Sequence, residues 1–258
     1  METRTIENGC LRVVVAGNCI NSLEFKGKNF FFPRGIITYE DGAKKMRGGS
    51  HPCFPIFGST PPGFPEIPPH GWLRDTDPIM IKGKNDPYII ETYTNIGGTR
   101  NYPWLIGCIT QFKICNNILL IQYTFKKVDT QESMAPFNLA LHHYWVNPKG
   151  IKHNFNLDLP ERPNNIFRGI LEKAIKIRID TPTPRIIPTV NFEIIGIGKV
   201  KMEMISDGEN YIVVWSDNPD FLCIEQVINT PFNFGKTAGL HLHPGIFLAQ
   251  FRLEFKEE

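Results

Sequence analysis

The sequence predicts an all-β protein, a large antiparallel sandwich or barrel. Three observations carry that expectation. Strand-favouring Ile, Val, Phe, Tyr and Thr are abundant, 22 Gly and 21 Pro interrupt any long helix, and short strand-like runs recur along the whole chain. With 258 residues, 41% of them hydrophobic, there is material for one substantial core, and all-β folds of this length often form single units. No internal repeat, low-complexity tract or clear boundary divides the chain, so one domain over residues 1–258 is expected.

The elements follow in order. Leu11 to Ala16, Ser22 to Phe25 and Tyr88 to Tyr93 read as strands. LIGCITQFKICNNILLIQYTFKKV reads as a long hairpin with Asn116 and Asn117 at its turn, because Asn tolerates the positive φ of a tight connection. FNLALHHYW, NFNLDL, NFEIIGIGKVKMEMI, YIVVWSD, FLCIEQVI and IFLAQFRLEF complete the set. Helical periodicity is best, and still weak, over Asn165 to Ile177. Arg47 to Pro78 is crowded with Gly, Pro and aromatics, too apolar for a disordered linker and too broken for a sheet. It reads as a long ordered loop of the kind that carries function.

Charge and cysteine usage exclude several classes. Charged residues make up 21% and the net charge is +2, without the concentrated basic stripe of a nucleic-acid protein. The six cysteines show no C-x-x-C spacing, which fits free thiols in a reducing cytoplasm. No basic leader precedes an apolar run, and no run approaches the ~20 residues of a membrane helix, so no membrane partner is expected.

Two strand-like runs carry titratable groups. In FNLALHHYWVN, alternation puts His142 and Tyr144 on one face and Leu141, His143 and Trp145 on the other. Such a histidine is either satisfied by a structural hydrogen bond or used for proton transfer, and a one-residue slip would exchange the two imidazoles. In FLCIEQVI, Glu225 shares a face with Cys223 and Val227. A lone buried charge is costly, so this carboxylate is paired with a cation, tilted to solvent, or used. A carboxylate base and an imidazole acid facing one cleft would make a proton-transfer pair.

The loop adds Arg47, followed by Gly48 and Gly49 where backbone could approach a ligand, and His70 and Arg74. Surface ion pairs and a loop-stabilising hydrogen bond are the alternatives for these three. Phe54, Phe57, Phe64 and Trp72 either line a pocket or pack the loop down. His241 and His243 have the spacing of a metal-binding H-x-H pair. The downstream Glu of such sites is missing and Pro244 breaks the strand, so no metal is expected.

R-G-G-x-x-P-x-F-P-x-F-G from Arg47 to Gly58, H-G-W-x-R-D from His70 to Asp75, L-H-x-Y-W from Leu141 to Trp145 and C-I-E from Cys223 to Glu225 occur in this order. Together they resemble the aldose 1-epimerases (galactose mutarotase-like proteins), nearest the hexose-6-phosphate mutarotase-like branch. The late HLHPGIFLAQFRLEF resembles the family's closing Pro-Gly turn and strand. The resemblance implies a β-supersandwich of large twisted antiparallel sheets with an open carbohydrate cleft. It implies an isomerase that interconverts the α and β anomers of an aldohexose or hexose 6-phosphate, without cofactor and as a monomer. By position Glu225 matches the general base and His142 the general acid, while Arg47, His70 and Arg74 match residues that bind the sugar or its phosphate. A non-catalytic carbohydrate-binding or sugar-sensing protein on the same fold is the alternative. The chain departs from the pattern at Ser50 and His51, where the family's loop is apolar. At Pro244-Gly245-Ile246 it lacks the acid of the family's turn, and it has no clear counterpart of the sugar-binding Asp, Asp180 being the nearest acid in its region.

Overall fold

The computed structural model describes residues 2–83, 86–129, 133–148, 157–158, 175–177, 189–206, 208, 210–228, 241–242 and 245–258. Among these every assigned element is a strand. Of the weak helical stretch only Ile175–Ile177 is described, and it is a strand. Asp180, His243 and Pro244 lie outside the described residues.

Two large sheets form the body. The first runs Thr3–Glu7, Leu11–Ala16, Cys19–Phe25, Ser50–Cys53, Leu139–Val146, Phe221–Ile228, Asn210–Trp215, Ile175–Ile177, with Lys28–Asn29 added beside Cys19–Phe25. The second runs Leu157–Asp158, Thr189–Ile194, Gly198–Ser206, Ile246–Lys256, Ile118–Lys127, Leu105–Cys115, Ile89–Gly97, Met80–Lys82. Among the described residues their strand pairs are antiparallel. The expected hairpin forms with Cys115 opposite Ile118 and Asn116 at φ 54°. NFEIIGIGKVKMEMI is a hairpin rather than one strand, because Gly196 and Gly198 break it between Thr189–Ile194 and Gly198–Ser206.

Apolar faces of both sheets meet in one core. Leu141, Trp145, Ile224 and Ile228 from the first sheet bury against a cluster that includes Phe125, Phe192, Met202 and Phe251 from the second. Trp145 meets Phe192 edge-on at 4.8 Å, a direct bridge between the layers. Side-chain alternation decides which half of each strand is buried. In Ile246–Lys256 it leaves Ile246 and Leu248 exposed on the outer face while Phe247, Phe251, Leu253 and Phe255 are buried. The centre of the first sheet breaks this rule: Ser50–Cys53 and Phe221–Ile228 are buried at every position, on both faces.

Two coverings are the reason: Phe32, Ile37 and Trp215 pack on Tyr144, Phe221 and Cys223, and the Arg47 to Pro78 segment covers the remainder. Part of that segment is strand after all, since Ser50–Cys53 enters the first sheet beside Leu139–Val146. Pro52 is tolerated because the other neighbour, Cys19–Phe25, pairs with this segment only through Ser50, so the missing donor interrupts no ladder on that side. Of the rest, Phe57 packs on the sheet's outer face with Cys53, Ala140 and Val227, whereas Phe54, Ile56, Ile67 and Leu73 join the main core and Phe54 stacks on Phe125 of the second sheet. Gly48 and Gly49 adopt φ 90° and 67°. A Cβ there would sit 2.2 Å from the Pro33 carbonyl oxygen and 2.0 Å from that of Ile20. These glycines allow close packing of the chain against the Pro33 and Ile20 carbonyls.

Candidate active site

The site is a row of cross-strand neighbours. His51 stands opposite His142 in one ladder. The ladder that pairs Leu141 with Gln226 and Tyr144 with Cys223 aligns His142 with Glu225, and Glu225 stands opposite Val213. Antiparallel register therefore sets side chains from distant parts of the chain side by side on one face. His142 Nε2 lies 2.8 Å from Glu225 Oε1, with the residues 4% and 2% exposed. Glu225 Oε2 and His142 Nδ1 have no hydrogen-bond partner among the described residues.

Aromatic rings enclose the pair. His51 stacks on His142 at 4.8 Å and 14°, Tyr144 stacks on it at 4.6 Å, and Trp215 meets it edge-on at 5.9 Å. His70 descends from the loop and meets His142 edge-on at 5.4 Å. Its Nδ1 accepts from the Gly58 amide at 3.4 Å and lies 3.3 Å from Cys53 Sγ, which places the ring proton on Nε2. Burial and then the neighbouring His142, Arg74 and Arg47 push its pKa down to about 3, so His70 is a neutral donor at physiological pH. Burial, followed by the neighbouring His142 and Arg74, holds His51 well below the usual histidine range. Cys53 and Cys223 are pushed well up, first by burial and then by the Glu225 carboxylate.

His143 points the other way. It stacks on Phe31 at 5.5 Å and leans on Trp145, both in the core between the sheets. Burial brings its pKa down to about 3.

The two arginines are already engaged. Arg47 donates to Asp217 through Nη2 at 2.6 Å and Nε at 3.4 Å, and Tyr39 donates to the same carboxylate at 2.8 Å. Its guanidinium also lies over the Trp215 ring at 5.5 Å. Burial is the largest influence on Arg47 and opposes its charge, but the Asp217 hydrogen bond and the charges and hydroxyls of Tyr144, Asp217 and Tyr39 together outweigh it, and the pKa is raised. Arg74 donates to Asp75 at 2.8 Å, near the protein surface. The structure thus gathers His142, Glu225 and His70, sets Arg47 at their edge beyond Trp215, and leaves Arg74 with an acid of its own. Sequence reading missed Asp217, Tyr39 and the part taken by His51. Asp217 lies between His142 and Glu225 in the chain, but nothing in WSDNPD marks it as the partner of an arginine 170 residues away.

No protein-family model and no curated protein sequence matches the chain. Solved structures do. The Slr1438 protein of Synechocystis sp. PCC 6803 superposes with a TM-score of 0.77 at 15% identity, over 100% of this chain and 96% of that one. A galactose mutarotase-like protein of Lactobacillus casei gives 0.72 at 16%, over 99% and 100%. A galactose mutarotase-like protein of Clostridium acetobutylicum gives 0.71 at 12%, over 98% and 95%. The chain is an all-β sandwich of large antiparallel sheets. Its fold is that of the galactose mutarotase-like proteins.

Proposed function

We propose that the protein is an aldose 1-epimerase, an isomerase that exchanges the α and β anomers of an aldohexose by acid/base ring opening. The observation that carries this reading is the His142–Glu225 contact of 2.8 Å on one face of a mutarotase-like sheet. In the reaction Glu225 takes the proton of the C1 hydroxyl while protonated His142 delivers one to the ring oxygen. The C1–O5 bond opens, the C1–C2 bond of the free aldehyde rotates, and closure on the opposite face returns both protons. Each positioned group contributes typically ~10²–10⁴ in rate. The two groups touch in the free protein, so the sugar parts them and replaces one contact by two. His70 Nε2–H is a donor to a sugar hydroxyl, and Arg47, oriented by Asp217, is a second.

Ion pairing of Arg47 with Asp217 and of Arg74 with Asp75 favours a neutral aldohexose over a hexose 6-phosphate, since a phosphate would have to displace both carboxylates. Burial of the acid/base pair favours a second reading, a sugar-binding protein without catalysis. We also infer a single domain over residues 1–258, action as a monomer, and a cytoplasmic setting, which six free cysteines support.

Anomer exchange on glucose, galactose and their 6-phosphates, followed by NMR or polarimetry, tests these readings together. The wild type should accelerate exchange of a neutral hexose, and Glu225→Gln should lose ~10²–10⁴ of that rate. Near-normal turnover in Glu225→Gln removes it from the mechanism. Sugar binding without any acceleration leaves the non-catalytic reading.

A further inference from the structure

The face that holds the acid/base pair also holds a thiol that anomerisation does not use. Cys223 is two residues before Glu225 on the same side of Phe221–Ile228, opposite Tyr144. His142, Cys223 and Glu225 each offer a ligand atom, and the three atoms lie within 4.8 Å of one another. Bonds of about 2.0–2.3 Å to tetrahedral zinc give ligand-to-ligand edges of roughly 3.3–3.8 Å, so a contraction of about 1 Å, within reach of side-chain rotation, closes the set. All three stand on adjacent central strands, a rigid base for such a site.

A second observation points to a ligand here. Among the described residues Glu225 Oε2 is without a donor although its residue is 2% exposed. His51, stacked on His142, carries another buried nitrogen, Nε2, without a partner among them. Buried polar atoms left in this state are costly and normally find a partner. A cation bound to the carboxylate provides one, and a dication balances a thiolate plus a carboxylate in charge. One sulfur, one imidazole and one carboxylate form a donor set suited to zinc rather than to magnesium or calcium.

We propose that His142, Cys223 and Glu225 bind one thiolate-preferring divalent cation of the zinc type, and that its occupancy switches the acid/base pair off. Binding breaks the His142–Glu225 hydrogen bond. The Cys223 thiol loses its proton to solvent as the sulfur–metal bond forms, and nothing is oxidised or reduced. The binding claim stands by itself, whereas the inhibitory consequence rests on the epimerase reading.

Cobalt(II) titration of the full-length protein tests the site. The expected result is saturation at one equivalent, with a thiolate-to-cobalt band in the near ultraviolet, tetrahedral bands in the visible, and displacement of both by zinc. Cys223→Ala should lose the near-ultraviolet band, and it and Glu225→Gln should each bind at least ~10–100-fold more weakly. Cys223→Ser, with circular dichroism of all variants, guards against misfolding. Absence of binding at millimolar metal, or a thiolate band that survives in Cys223→Ala, overturns the site. Zinc should also inhibit wild-type anomer exchange, reversibly with a chelator. Exchange untouched by saturating zinc overturns the overlap, whereas metal binding by a protein that never accelerates exchange overturns the epimerase reading and leaves the metal site standing.

Discussion

His142 and His143 are adjacent, both at least 96% buried, on the same strand, yet their surroundings differ in kind. His142 faces the covered outer side of the sheet, within hydrogen-bond distance of a carboxylate and ringed by His51, His70 and Tyr144. His143 faces the intersheet core and stacks on Phe31. Burial alone therefore says little about a titratable side chain. What separates the two imidazoles is the partner that the neighbouring strand sets beside each. The covered face collects titratable side chains, and the core face collects apolar and aromatic surfaces that fit.

The sharpest way to break this comparison is to truncate each imidazole in turn. His142→Ala should cost ~10²–10⁴ in anomer exchange besides the loss of stability that truncating any buried ring entails. His143→Ala should keep the rate near wild type and lose about 2–5 kcal/mol of stability, the range for truncating a large buried side chain. The opposite pattern would mean that the acid had been assigned to the wrong face.

Acid unfolding sharpens the same contrast. His70 and His143 have folded pKa values of about 3 against an ordinary 6.5. The unfolded chain therefore binds the extra protons between those limits. The stability each neutral ring contributes is present above about pH 6.5 and is lost as pH falls toward 3, with a slope of up to about 1.4 kcal/mol per pH unit for each ring. His143→Phe, which keeps the stack on Phe31, should make the urea stability profile less steep by one such increment.

Smaller effects are expected farther from the pair. Asp217→Asn removes the charge behind Arg47, a charge-assisted bond worth about 1.5–3 kcal/mol. KM for the sugar should rise on the order of tenfold, with less change in kcat, because 1.4 kcal/mol is a factor of ten. On the second sheet, Arg252 bridges Glu203 and Glu254 at 2.6 and 2.7 Å with its side chain 27% exposed. Arg252→Ala should cost about 0–1 kcal/mol and leave anomer exchange unchanged.

Much of the strand pattern was legible because alternation and turn chemistry are local. The Asn116-Asn117 hairpin and the split of His142 from His143 follow from residues within a few positions of each other. The Arg47 to Pro78 segment was harder to read, since its Gly and Pro content hid a four-residue strand whose ladder comes from Leu139–Val146, far along the chain.

By itself, then, the sequence determined an all-β chain, which residues of a strand share a face, and which side chains are unusual for their setting. Only the tertiary structure decided that Glu225 meets His142, that Asp217 takes Arg47, and that Cys223 comes within 4.8 Å of both His142 and Glu225. The physical reason is strand order. A periodicity of two tells which side of a sheet a residue occupies, but a neighbour comes from whichever strand pairs alongside, and here those strands are separated by about eighty residues.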